Sequence, residues 1–424
     1  MDFSMEYEPK DQEFALEVRA WIKENIPKEY RPFRDAYSIT PEQWEIRREI
    51  ARRLGKKRWL LPGYPAKYGG CDMDVAHMIV LKKEFENAHI GHPPHYDSAV
   101  SLGAPAILAT ATEEQKKRFL PPVLGGEWHT WQLFTEPEAG TDEANQQTNA
   151  LRHERDKEYF IINGQKIFVG CYRGKPDYFL LLTRSDLKAP RHENLAMFMC
   201  PANLPGITIS QLDLYCADYV NSIQNVVSDN APGQKNQVFF DDVRVHESYL
   251  IGGDHDGWKV ADATLLVEHG TAGPQDGRTS SEPRDARTPP ENYMLPKFLE
   301  ECRSNPNIAA RLKENPLLME SLLNYYIGNQ IARLWQVRNF WHQTHAVRGP
   351  GKGPQLTLFL KMFGPVAGTS LARVLGPYAV IQDEEWAPLG GAYEVLVRGS
   401  SLLAPSGTPE AQKIIMARSL GIGR

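Results

Sequence analysis

The hydrophobic period of this chain changes twice, and those changes bound what it can fold into. Up to about residue 127, apolar residues recur at helical spacing. In "DQEFALEVRAWIKENI" (11–26), Phe14, Val18, Trp21 or Ile22, and Ile26 share one stripe, and Pro27 stops the run. The pattern continues through "EQWEIRREIARRL", "DVAHMIVLKKEFENA" and "EEQKKRFLPPVL". From 128 to 247 short apolar or alternating runs take over: "EYFIINGQKIFVG", "DYFLLLTRSD", "LAMFMCPA", "GITISQLDL" and "NQVFFDDVRV". Each is bounded by Pro, Gly, Asn or Asp, which predicts an antiparallel barrel or sandwich. Asn163-Gly164 inside the first of them predicts a hairpin. From "GWKVADATLLVEHG" the helical period returns and stays to the end. The expectation is an α+β fold: an N-terminal helical domain (1–127), a middle antiparallel β domain (128–247) and a C-terminal helical domain (248–424).

At 424 residues one ordinary core is too small to hold the chain. A net charge of -5 gives no electrostatic reason to expect nucleic acid or an acidic membrane surface as a partner. Five scattered cysteines with no C-x-x-C pair read as reduced thiols of a cytoplasmic protein. The N-terminus lacks the basic-then-apolar pattern of a signal peptide, and no apolar run approaches the ~20 residues that span a bilayer. Glycine signatures of dinucleotide and phosphate loops are absent, as are H-E-x-x-H and G-x-S-x-G. "HIGHPPH" (89–95) reads as a loop rather than a metal site, so no metal is expected. The Gly-, Pro- and charge-rich 273–292 reads as a long exposed loop, and "RGPGKGP" (348–354) as a connector between helices.

One acidic stretch stands out. "FTEPEAGTD" (134–142) gathers Glu136, Glu138 and Asp142 around a Pro and a Gly at the end of an apolar run. By local chemistry alone it is a tight, solvated turn, its carboxylates belonging to turn and surface rather than to a metal cage.

Its surroundings change that reading. "FTEPEAGTD", "INGQKIFVG", "QVFFDDVRV", "GWKVADATLLVEHG" and "SGTPEAQKIIMARSLGIG" occur in the order and spacing of the acyl-CoA dehydrogenase family. The chain resembles most the branch acting on bulky, branched, cyclic or sterol-derived acyl groups. The resemblance implies a C-terminal four-helix bundle behind a middle barrel, bound FAD, and α,β-desaturation of an acyl-CoA thioester. It also implies an electron-transferring flavoprotein as acceptor and a homodimer or homotetramer, since FAD in this family sits at a subunit interface. Carried over by position, Leu133, Phe134 and Thr135 line the isoalloxazine, and Phe168, Val169 and Gly170 cover its other side. Gly140 and Thr141 fall where flavin and the pantetheine arm meet. Thr408 and Glu410 join the cofactor set, and Thr141 and Ser406 the substrate set.

The reaction needs a base for a weakly acidic α-proton. Many members keep a Glu immediately before the last Gly-Thr, where this chain has Ser406, which cannot serve. The family's other location is Glu268, which continues the apolar stripe of Trp258, Ala261 and Leu265 at helical spacing. Without the family, Glu268 reads equally well as a helix-terminal carboxylate paired with His269 or an Arg. His269 stands where the branch has Arg, Gly170 where it has Thr, and the Arg-x-x-Phe-Gly pyrophosphate grip has no match. These departures leave open a non-catalytic partner subunit of a mixed-subunit dehydrogenase. A flavin oxidase or monooxygenase on the same fold is the other alternative. Thr408 also suits a plain N-cap, with Pro409 at the first helical position and Ala411, Ile414, Ile415 and Arg418 on one face.

Overall fold

The structure is a computed structural model that describes residues 9–30, 41–88, 90, 102–169, 176–213, 234–268, 294–344, 352–381, 397 and 407–422. Among the described residues there are eleven α-helices and eight strands, divided between two compact units. The first unit holds the described residues up to 268, the second those from 294 onward.

The first unit begins with α1 (Pro9–Asn25), α2 (Pro41–Lys57), α3 (Val75–Asn87), α4 (Ala104–Thr110) and α5 (Glu113–Leu124). Val18 of α1, Ile50 and Leu54 of α2, Leu81 and Phe85 of α3 and Phe119 of α5 meet in one core. Arg19 ties α1 to α3 through the buried Glu84, Nε to Oε2 at 2.6 Å. Thr112 and Gln115 start α5 with a reciprocal capping box, which satisfies two N–H groups that the first turn would leave orphaned. The Gln115 side chain also donates to the Leu250 carbonyl at 2.8 Å and so fastens α5 to the end of the sheet.

The sheet comprises β1 (Thr130–Leu133), β2 (Asn149–Arg152), β3 (Tyr159–Val169), β4 (Tyr178–Arg184), β5 (Leu195–Pro201), β6 (Ile207–Asp213), β7 (Gln234–His246) and β8 (Leu250–Ile251). Its order is β6-β7-β3-β2-β4-β5-β8, with β1 beside β4. Pairing is antiparallel except at β4, which takes β1 and β2 in parallel. The continuous apolar runs of β4 and β5 follow from burial on both faces. Leu180, Leu182, Met197 and Met199 enter the core shared with the helices. Phe179, Leu181, Phe198 and Cys200, one residue out of phase, enter a separate core of the sheet. Helix α6 (Gly257–Glu268) follows β8 and packs on β5. A Cβ at Gly257 would lie 2.5 Å from the Ala196 nitrogen, so only glycine lets α6 start so close to the strand.

The hairpin expected at Asn163-Gly164 is not formed. β3 runs straight through both residues, and the pair instead makes an irregularity in the register with β7. Asn163 bonds Asp242 on β7 reciprocally, donating from Nδ2 at 3.0 Å and accepting the Asp242 N–H at 2.9 Å. Gly164 takes φ 141°, and a Cβ there would meet Thr148 Cα at 2.6 Å. The dipeptide supplies the positive φ of a turn, but here it serves a bulge and a close approach.

In the second unit lie α7 (Met294–Ser304), α8 (Pro306–Glu314), α9 (Pro316–Thr344), α10 (Lys352–Leu375) and α11 (Pro409–Ser419). Phe298, Ile308, Tyr325, Leu371, Val374 and Leu375 form its core. Among the described residues one helical segment, Gln355–Val380, is long and apolar enough to cross a bilayer by length and composition alone, although Lys361 and Arg373 interrupt its apolar run. Leu371, Val374 and Leu375 spend part of that apolar surface on this unit's own core, as a core helix does. The 273–292 loop lies outside the described residues, as do all of "HIGHPPH" except Ile90 and the connector positions 348–351.

Candidate active site

Strand β1 ends at Leu133 and the chain turns at once. Glu136 and Ala139 exchange two backbone hydrogen bonds, N–H to carbonyl at 2.9 and 3.2 Å, closing the tight turn that Pro137 predisposes. The carboxylates of this stretch then part company. Glu138 is exposed, and Asp142 forms a surface ion pair with Arg191. The expectation that all three belong to the surface fails at Glu136, which is buried. Its oxygens accept the backbone N–H of Gln147 at 2.6 Å and of Thr148 at 3.1 Å, and the Lys166 ammonium at 2.8 Å.

Lys166 lies on β3 with no exposed surface. It also donates to the Phe134 carbonyl at 3.0 Å and to Oε1 of the buried Gln146. All three ammonium protons therefore have acceptors, which is what makes a buried charge tolerable. Burial pushes the ammonium below the ordinary lysine range, and the Glu136 charge opposes that shift. Gln146 in turn donates to the carbonyls of Phe134 and Glu143, at 3.2 and 2.7 Å. Sequence reasoning missed Lys166 and Gln146. The signal was present for Lys166: it lies an even number of residues from Phe160 and Ile162, both inward-facing, so strand alternation places it in the core.

Two residues further along β3, Phe168 adopts φ 58° and is 50 % exposed. It occupies a register shift between Lys166 and Val169, next to the Ile167 N–H that donates to the Thr135 carbonyl at 2.9 Å. An aromatic held in the left-handed region with its ring in the open is a strained and costly arrangement. Thr135 is half-buried, Gly140 and Thr141 are exposed, and a Cβ added at Gly140 would meet nothing within 4 Å. Leu133, Phe134 and Val169 are buried in the hydrophobic cores. What those three can offer a bound group is backbone rather than side chain. Gly170 and Ser406 lie outside the described residues.

An open aromatic face, a half-buried threonine and an unobstructed glycine backbone, all held by one strand and one turn, fit a planar heteroaromatic such as FAD. Across this stretch the β4–β5 loop reaches to α6. Arg191 pairs with Asp142, and the ring of His192 stacks on Trp258 at 4.4 Å and 15°. Among the described positions of α6, Gly257, Val260, Ala261, Ala263 and Thr264 are buried, while Trp258 and Leu265 are half-buried. The expected stripe through Trp258, Ala261 and Leu265 is thus rotated toward Val260 and Thr264. Glu268 is the last residue of α6, four after Thr264 and seven after Ala261, and its backbone takes up their register.

Thr408 caps α11 in the second unit, its hydroxyl accepting the Ala411 N–H at 3.2 Å, and Pro409 opens the helix as expected. Glu410 is exposed in the first turn, where its charge suits the helix dipole. The expected face of Ala411, Ile414, Ile415 and Arg418 is split: Pro409 and Gln412 are buried, Ala411 and Ile415 are half-buried, and Ile414 and Arg418 are exposed.

Comparison with known proteins agrees with this architecture. Residues 8–127 match the acyl-CoA dehydrogenase N-terminal domain and residues 132–227 the acyl-CoA dehydrogenase middle domain, together just over half of the chain. The acyl-CoA dehydrogenase IpdE1 of Mycolicibacterium smegmatis is 28% identical over 336 residues, 76% of each chain. Among solved structures, the Tcur3481-Tcur3483 steroid ACAD superimposes with a TM-score of 0.72 at 24% identity, covering 100% of both chains. The ChsE4-ChsE5 complex from Mycobacterium tuberculosis gives 0.71 at 23% identity and 99% of both. At those identities the structural likeness is one of fold. The chain belongs to the acyl-CoA dehydrogenase family of FAD-dependent oxidoreductases.

Proposed function

We propose that this protein desaturates an acyl-CoA thioester between Cα and Cβ, with Glu268 taking the α-proton. The observation that carries the reading is Phe168, an exposed aromatic in a strained conformation, next to Ile167, whose N–H donates to the Thr135 carbonyl at the start of the acidic turn. Bound FAD would supply the acceptor for the β-hydride. In this reading the backbone of Leu133, Phe134 and Val169, the side chains of Thr135 and Phe168, and Gly140 and Gly170 hold the cofactor. Thr141 and Ser406 meet the thioester arm. The backbone register of Glu268, shared with the buried Ala261 and Thr264, supports its choice as the base.

A bulky, sterol-like acyl group is the substrate class, as in the branch of the family that the ordered motifs resemble. An electron-transferring flavoprotein is the acceptor and the cytoplasm the compartment. Assembly of the chain into dimers or tetramers is supported by the exposed apolar side chains of α9: Met319, Leu323, Ile327 and Leu334. A mixed-subunit tetramer, in which this chain holds little or no flavin itself, is the second reading. It is favoured by Gly170 and the missing Arg-x-x-Phe-Gly.

Purified protein should be yellow and should bleach when titrated anaerobically with one of a panel of straight, branched, cyclic and sterol-derived acyl-CoAs. Glu268→Gln should keep the colour and lose the bleaching; full bleaching of that variant would sink the assignment of the base. Protein that stays colourless with added FAD would favour the mixed-subunit reading.

A further inference from the structure

We infer that Lys166 is a positioning residue of the flavin site, joining its two walls from behind. This rests on the proposed reading of the site. The two walls are the acidic turn with its following loop (134–148) and the end of β3 that presents Phe168. Lys166 belongs to the second wall and reaches three groups of the first: the Phe134 carbonyl at 3.0 Å, the Glu136 carboxylate at 2.8 Å and the Gln146 side chain.

Each of those acceptors is itself committed to the loop. Phe134 immediately precedes Thr135, and its carbonyl also accepts a hydrogen bond from the Gln146 side-chain amide. Glu136 holds the N–H groups of Gln147 and Thr148. The ammonium is thus the shared donor of a closed network that ties Phe134 and Glu136 at the start of the loop to Gln146, Gln147 and Thr148 at its end. Glu143 also faces the ammonium electrostatically. Lys166 itself does not reach the open side of the site, since it is wholly buried. A role behind the cofactor, rather than contact with it, follows from that burial. The network also explains why the strand carries its bulge at Ile167–Phe168: Lys166 and Thr135 fix the backbone on one side, leaving Phe168 to turn outward.

The test compares wild-type protein with Lys166→Met, Glu136→Gln and the double variant Glu136→Leu/Lys166→Met, each purified with any subunit that accompanies it. The double variant removes the pair without stranding a buried charge, so its fold should survive where the single variants weaken it. Two quantities are measured: the FAD dissociation constant, and amide hydrogen exchange at 134–148 in flavin-free protein, with the strand 195–201 as internal reference. The expected result for the double variant is FAD binding weaker by about tenfold or more, faster exchange in 134–148 and unchanged exchange in 195–201. Unchanged FAD affinity, with or without faster exchange, overturns the inference while leaving the flavin reading intact. Wild-type protein that takes up no FAD overturns the flavin reading and this inference together. Faster exchange in both segments marks general loosening and also overturns it.

Discussion

Glu136 and Asp142 are six residues apart in the same acidic stretch, both carboxylates and both paired with a basic side chain, yet they have little else in common. Glu136 is buried with Lys166, and both partners are satisfied by further hydrogen bonds. Asp142 meets Arg191 in a pair more than half exposed on both sides. The first pair cannot lose one member without stranding the other's charge away from water, whereas solvent and salt replace much of the second. The contrast teaches that the acidity of the stretch has two origins, one that builds a wall and one that decorates it.

The contrast can be broken most forcefully at Lys166. Lys166→Met should destabilise the protein by roughly 3–5 kcal/mol in chemical denaturation, and the added change Glu136→Leu should recover much of it. A single variant as stable as wild type would remove the distinction between the two pairs. Gly164→Val tests the same wall from its other side, because Thr148, whose N–H Glu136 holds, lies 2.6 Å from the missing Cβ. Strain from a non-glycine residue at that backbone angle should cost about 1–3 kcal/mol. A silent substitution would show that the close approach of β3 to Thr148 is not required.

Arg191→Ala should cost only about 0.2–1 kcal/mol, measured at low ionic strength and vanishing in high salt. The Arg191 guanidinium holds the Asp142 carboxyl below the usual carboxylate range. The pair's stabilisation is therefore present above the unfolded-state value and lost as pH falls through the folded one. In wild type that loss should show as an acid-side decline in melting temperature that is shallower in Arg191→Ala. The smallest effect is expected away from both pairs, at Glu113, which the Tyr68 hydroxyl and Lys116 hold down to about 2. Tyr68→Phe should lower stability slightly above the ordinary glutamate range and make the acid-side decline shallower, so that variant and wild type converge near pH 2.

Much of the fold was legible because local rules and tertiary packing agree. Val18 and its stripe, the helix over "EEQKKRFLPPVL" and the cap at Thr408 all depend on side chains within one or two turns, which a sequence displays directly. Asn163-Gly164 misled for the converse reason. The dipeptide announces a positive φ at Gly164, but whether that angle reverses the chain or bulges it depends on β7 and Thr148, far away in sequence. The site was legible as a stretch and not as a network. Thr135, Gly140 and Phe168 were assigned by resemblance, while Lys166 was passed over, because its acceptors lie 20 to 32 residues away along the chain.

By itself, then, the sequence determined the succession of helices, sheet and helices, the tight turn after β1 and the family to which five ordered motifs belong. These follow from hydrophobic period and turn chemistry, which act over a few residues. Only the tertiary structure decided which carboxylate of "FTEPEAGTD" is buried, which residue of β3 faces outward, and that α6 buries Val260 and Thr264 rather than Trp258. Those outcomes are set by desolvation and by the partners that burial demands, and both depend on segments that meet only when the chain is folded.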